Sequence, residues 1–294
     1  MPERIVHFSV TQQEQGSTVG QILRRRGVSL GLIRKLKRVS DGITVDGTLV
    51  RTIDFAAVGQ KITLRIPCDE ICAKPTQLIA EVVYEDDDII VFNKPAGMTI
   101  HPVRDHQTDT LANFYAWHLA QKGEMGAFRP INRLDRNTSG LAVVAKHRFA
   151  ASNLSAKVDK TYLALCQGVV CPLEGTIEAP IRRKEGFGIT QEVGAGGKEA
   201  VTHYKTVSFC QEMSLLEVTL ETGRMHQIRV HFAHLGHPLL GDDMHGGDLR
   251  WIRRHALHCT QVSFQHPVTK QFFSFDAPLP DDFAAVIAKF FAKG

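Results

Sequence analysis

An α+β fold with a mixed sheet is expected for most of this 294-residue chain, behind a small basic unit at its N-terminus. Three observations point there. From about residue 78 onward, short β-rich runs mix with helical ones without regular βαβ alternation. Residues 1–66 carry 11 Lys/Arg against 5 Asp/Glu, whereas the remaining 228 carry 24 against 26. A basic head on a near-neutral body suits a polyanion-binding module attached to a larger domain. Between them, Pro67 and Pro75 punctuate PCDEICAKPTQ as a linker. The expected division is an extension at 1–14, a basic module at 15–66, a linker at 67–77 and a body at 78–294.

Within the module, Thr18 and Gln21 have capping-box spacing and open a short helix ending at Gly27. That helix carries Arg24, Arg25 and Arg26. A second helix follows Ser29, with Leu32, Ile33 and Leu36 on one face and Arg34, Lys35, Lys37 and Arg38 largely on the other. Residues 22–38 thus hold seven cations and no acid. Two β-rich runs flank Asp46-Gly47, a type I′ hairpin signal, and KITLRI closes the unit near Ile66.

The composition, 43% hydrophobic and 22% charged, is that of a water-soluble protein. No run approaches the roughly 18 apolar residues of a membrane span, and the opening residues lack a signal-peptide pattern. A cytoplasmic protein without membrane contact is expected. The cysteines, at 68, 72, 166, 171, 210 and 259, lack zinc-site spacing and read as reduced thiols.

In the body, DIIVF reads as a strand running into a Pro/Gly loop, and INRLDRNTSGLAVVAK as a polar turn before a buried strand. KTYLALCQGVV is a further strand; MSLLEVTLETGRMHQIRVHFAHLGHPLLGD is strand, turn, helix and loop. Asp135 stands between Arg133 and Arg136, where nearby positive charge keeps a carboxyl ionised. Such a carboxylate, on a turn at a rigid strand, meets the requirements of a nucleophile. From these four residues alone, a structural Arg–Asp–Arg ion-pair cluster is the favoured reading.

The wider pattern resolves more. RLDRNTSGLAVVAK resembles the central motif of the RluA family of pseudouridine synthases, and NKPAGMTIHP its first motif. KTYLAL is similar to the family's tyrosine segment, ETGRMHQIRVHFAHLGHPLLGD to its third motif, and RHALHCTQVSFQHP to its C-terminal continuation. The resemblance runs in order over about 80–280. Residues 15–66 resemble the S-four RNA-binding domain, named for a small-subunit ribosomal protein. Two positions depart from the RluA pattern: Asn132 where His is commonest, and Asn137 where an acid is usual.

The resemblance implies the pseudouridine synthase catalytic fold, with a mixed, largely antiparallel central sheet. It implies an isomerase that detaches uracil from its ribose, turns the base and rejoins it through carbon 5. No redox change or group transfer occurs, so no cofactor or metal is expected. By resemblance Asp135 is the catalytic carboxylate, and Arg229 pairs with it. Tyr162 stacks on the flipped base, and its hydroxyl is a candidate to take the carbon-5 proton. Arg133 fills the space the base vacates, and Leu257 lies beneath it. Without that context, Tyr162, Arg229 and Leu257 would read as a strand aromatic, a solvated helical arginine and a core leucine. Arg224 and His226 are candidate RNA contacts, with Arg24, Arg25, Arg34, Lys35 and Arg38 of the module. The expected partner is RNA, ribosomal in preference to transfer RNA, bound by a monomer.

The remaining histidines of the segment, His231, His234 and His237, lack an HExxH pattern and read as packing or RNA contacts. GAGGK at 194–198 has Glu199 where a phosphate loop needs Ser or Thr, which argues against nucleotide binding. A non-catalytic RNA-binding protein and a nucleoside hydrolase remain as alternatives.

Overall fold

The computed structural model describes residues 3–68 and 73–291; Cys72 and positions 69–71 of the expected linker lie outside the described residues. At the N-terminus, β1 (Arg4–Ser9), α1 (Val19–Arg25), α2 (Leu30–Leu36), β2 (Ile43–Val45), β3 (Thr48–Leu49) and β4 (Lys61–Ile66) form one unit. Its antiparallel sheet has the order β1-β4-β2-β3. Ile22 and Leu23 of α1 and Leu32, Ile33 and Leu36 of α2 meet Ile43, Ile62 and Leu64 of the sheet in one apolar core. The Thr18–Gln21 capping box forms as expected, Gln21 N–H donating to Thr18 Oγ1 and Thr18 N–H to Gln21 Oε1. Asp46 and Gly47 take φ of 48° and 83°, the left-handed pair of a type I′ turn.

The boundary at residue 15 is corrected: β1 pairs with β4 over its whole length, so residues 4–9 belong to the module. Only Val6 of the strand is fully buried, which is why RIVHFS carries a weak periodic signal.

The body continues with β5 (Glu81–Glu85), β6 (Ile89–Lys94), α3 (Leu111–Gln121), β7 (Arg129–Pro130), β8 (Ser139–Ala145), α4 (Arg148–Leu154) and β9 (Asp159–Gln167). Next come β10 (Glu174–Glu178), β11 (Ile181–Arg183), β12 (Gln191–Val193), β13 (Val201–Phe209), β14 (Met213–Leu220), α5 (Gln227–His234), β15 (Leu257–Gln265), β16 (Phe272–Asp276) and α6 (Asp281–Phe291). The main sheet runs β10-β13-β14-β9-β15-β8-β6-β5, with β16 beside β15, β7 beside β8, and β11–β12 a separate hairpin. Every pairing in it is antiparallel except β8 with β15, so the mixed, largely antiparallel α+β sheet is observed. That parallel contact needs Gly140. Its φ is +105°, and a Cβ there would lie 2.1 Å from the Cys259 carbonyl oxygen.

The two units are tied together. Arg4 Nε and Nη2 donate to both oxygens of buried Asp88 at 2.7 and 2.8 Å, and His147 Nε2 reaches the same carboxylate at 2.8 Å. Phe149 of α4 inserts into the module's core, edge-on to Phe8. No helix among the described residues is long and apolar enough to cross a membrane.

Candidate active site

Asp135 lies on the turn entering β8, where Thr138 N–H donates to its carbonyl at 3.1 Å. Asn132 braces this turn from the other side. Its amide donates to Leu141 O at 2.9 Å and accepts from Val143 N–H at 2.8 Å, so the side chain replaces a strand's backbone pairing. Behind the turn, Lys94 is fully buried and its Nζ donates to the carbonyls of Pro95, Met98 and Arg136 at 2.8, 2.8 and 3.1 Å. Burial pushes this ammonium down to about 7 against the pull of Asp135. Arg136 Nε donates to Gly97 O, closing the Pro/Gly loop onto the turn.

The arginines beside Asp135 do not perform the task expected of them. Among the described residues neither Arg133 nor Arg136 ion-pairs with it: Arg136 turns to Gly97, and Arg133 is exposed. Neighbouring residues of a tight turn point apart, so the cation comes from elsewhere in the fold. Arg229, on α5, donates from Nη1 to Asp135 Oδ2 at 3.1 Å. Its Nε and Nη2 donate to Asp242 at 2.8 and 2.8 Å, a bidentate pair buried in the protein.

Asp135 opens onto a cleft whose lining includes Arg133, Thr138, Tyr162, Arg224, His226, Arg229 and Leu257. All seven site residues expected in the body therefore converge. Tyr162 projects from β9 and Leu257 from the start of β15; both are buried at the cleft wall. Arg224 stands at the rim with Nε on Glu199 O at 2.8 Å. His226 precedes α5 in the left-handed conformation (φ 56°, ψ 21°), with Nε2 4.0 Å from Asp135 Oδ2. Burial holds its imidazole down at about 4, so it is neutral near pH 7.

Burial also pushes the Tyr162 hydroxyl well above its ordinary value, with Cys259 and Asp135 adding to the effect. The residue lines the cleft.

The module's cations do not act alike. Arg24, Arg25, Arg34 and Lys37 line one groove between α1 and α2, with Thr52 beside them. Arg38 is exposed and Lys35 half-buried. Arg26 is withdrawn from the basic face: its Nε and Nη2 grip Glu14 at 2.8 and 2.8 Å. The acid comes from outside the 22–38 window, which is why the run looks uncompensated. Of the other histidines, His231 bridges Thr202 and the Ala179 carbonyl inside the core, a packing role.

Lys94 and Asp242 were not singled out from sequence. Both lie inside recognisable segments, NKPAGMTIHP and HPLLGD, and a lysine closing the apolar run DIIVFNK is the one available signal. Their partners are set by tertiary contact.

The RNA pseudouridylate synthase family pattern matches residues 88–234, half of the chain. The chain is 41% identical to the uncharacterized RNA pseudouridine synthase YhcT of Bacillus subtilis, covering 72% of each. It is 36% identical to YjbO of the same organism over 92% of this chain and 98% of that one. Against the ribosomal large subunit pseudouridine synthase D of Pseudomonas aeruginosa it is 37% identical over 83% of both. Among solved structures, human RNA pseudouridylate synthase domain containing 1 superposes with a TM-score of 0.56 at 27% identity, covering 70% of this chain and 86% of that one. With this pattern and these relatives beside a cleft that gathers Asp135, Tyr162 and Arg229, the chain belongs to the RluA-type RNA pseudouridine synthases, isomerases that convert uridine to pseudouridine in RNA.

Proposed function

We propose that this enzyme isomerises uridine in large-subunit ribosomal RNA with Asp135 as its catalytic carboxylate and no cofactor. The observation that carries the reading is the Asp135–Arg229 pair at the floor of an open cleft walled by Tyr162 and Leu257. Arg229 aims the carboxylate through the hydrogen bond to Oδ2. The target base must leave its stack to reach that depth, at a cost of a few kcal/mol that is smaller in loops. Exposed Arg133 is placed to occupy the vacated space, Tyr162 offers its face to uracil, and Leu257 helps exclude water from the cleaved intermediate. The S-four-like module and Arg224 contribute phosphate contacts, and one chain suffices for the site. Support for the ribosomal target comes from relatives named as large-subunit enzymes.

A glycosidase-type hydrolase would pair two carboxylates across the cleft. Asp135 is the one carboxylate lining it among the described residues, and the nearby Asp242 is sealed off. The decisive experiment incubates the purified protein with large-subunit RNA and maps pseudouridine. Wild type should modify a defined uridine without releasing uracil. Asp135→Asn should lower the rate by about a thousandfold or more while retaining RNA affinity. Turnover near the wild-type rate in that variant would end the proposal.

A further inference from the structure

Arg229 faces two carboxylates, and it does not treat them alike. Asp242 is 0% exposed and takes two hydrogen bonds at 2.8 and 2.8 Å, one on each oxygen. Asp135 is 26% exposed and takes one, at 3.1 Å on Oδ2; among the described residues no hydrogen bond reaches its Oδ1. A guanidinium ordinarily closes its fork on a carboxylate and ties up both oxygens. Here the fork is already occupied.

The occupant is held rigidly. Asp242 follows Gly241, whose φ is +72° and whose Cβ position would lie 2.0 Å from the Arg254 carbonyl oxygen. Asp242 O accepts from Gly247 N–H at 2.7 Å. His245 Nδ1 lies 3.2 and 3.1 Å from the two carboxylate oxygens; since a carboxylate only accepts, the imidazole donates there.

We propose that Asp242 is a positioning residue for the isomerisation. It holds two donors of Arg229 in a bidentate fork, so that one N–H remains for Asp135 and Asp135 Oδ1 stays unbonded for the reaction. It also divides the guanidinium charge between two carboxylates, which keeps Asp135 paired without neutralising it. This rests on Asp135 being the catalytic carboxylate. The other titratable or charged groups around the pair include Lys94, Tyr162, His226, His245, His255 and Arg254, with Arg133 and Arg224 at the cleft wall.

The test measures single-turnover rate, RNA affinity and the pH–rate profile of Asp242→Asn on a large-subunit RNA transcript. The rate should fall at least tenfold with the dissociation constant for RNA within twofold of wild type. The acid side of the profile should move to lower pH, because the undivided Arg229 charge then falls on Asp135. A folded variant with wild-type rate and profile would overturn the proposal, as would parallel loss of rate, binding and melting temperature. Should Asp242→Asn fail to fold, His245→Phe keeps the question open to measurement. Asp242, one donor short, should draw Arg229 harder and move the acid side to higher pH; an unmoved profile counts against the proposal. Asp135→Asn is assayed alongside. Activity there removes the underlying mechanism, whereas an inactive Asp135→Asn beside an unaltered Asp242→Asn removes only the role of Asp242.

Discussion

Lys94, fully buried, satisfies three carbonyl oxygens from two loops, and Asp135 sits on one of those loops. A buried carbonyl left without a donor costs about 1–3 kcal/mol. Lys94→Met preserves most of the side-chain volume and leaves the Pro95 and Met98 carbonyls without a donor, while Arg136 O keeps the Gly97 N–H, so a stability loss of about 2 kcal/mol is expected by denaturant unfolding. The turnover rate should fall with it, because the turn bearing Asp135 loses its anchor, while RNA affinity stays near wild type. A full rate with reduced stability would detach Lys94 from catalysis. Asn132 belongs to the same scale. Its amide completes the edge of β8, so a departure from the usual family residue is absorbed as backbone pairing and leaves Asp135 where it is.

At the level of elements, β8 and β15 bring the Asp135 turn and Leu257 to the same end of the sheet through one short parallel contact, His258 with Ser139 and Cys259 with Gly140. Gly140→Ala would force a Cβ into the Cys259 backbone at a φ that side chains avoid. A loss of about 3 kcal/mol or more is expected, read as a lower denaturant midpoint. In the module, the turn before α1 carries Glu14, whose carboxyl is held at about 2 instead of 4.5, chiefly by Arg26 and further by Thr11. A depressed carboxyl contributes stability that is complete above pH 4.5 and is lost as the pH falls toward 2. Glu14→Gln should therefore lower stability at neutral pH and flatten its fall between pH 4.5 and 2, followed by chemical denaturation. An unchanged acid slope would show that the pair contributes nothing.

Across the whole molecule, the module is joined to the body by half-buried Arg4 on the buried Asp88–His147 pair and by Phe149 seated in the module's core. Its basic groove therefore keeps a defined orientation relative to the cleft. Replacing Arg24, Arg25, Arg34 and Lys37 together by Gln should weaken RNA binding and flatten its salt dependence, by roughly 0.7 in slope for each phosphate no longer neutralised. Arg26 is left out of that set because Glu14 already neutralises it. Binding titrations over a range of salt concentrations decide the matter, and an unchanged slope would exclude the groove from RNA binding.

The sequence by itself determined the α+β class, the two helices of the basic module, the hairpin at Asp46-Gly47 and the capped start of α1, because these depend on periodicity and on neighbours within a few residues, whereas β1, with one fully buried residue, was missed. The resemblance of its ordered motifs to the RluA family implied that Asp135, Tyr162, Arg229 and Leu257 form one site. Only the tertiary structure decided which charges meet. Arg133 and Arg136 stand next to Asp135 in the chain yet leave it, while Arg229 arrives from 94 residues away. Glu14 cancels Arg26 across 12 residues, Arg4 finds Asp88 across 84, and Asp242 takes the fork of Arg229 across 13. Charge pairing is governed by distance in space and by burial, and neither is a property of a local window of sequence.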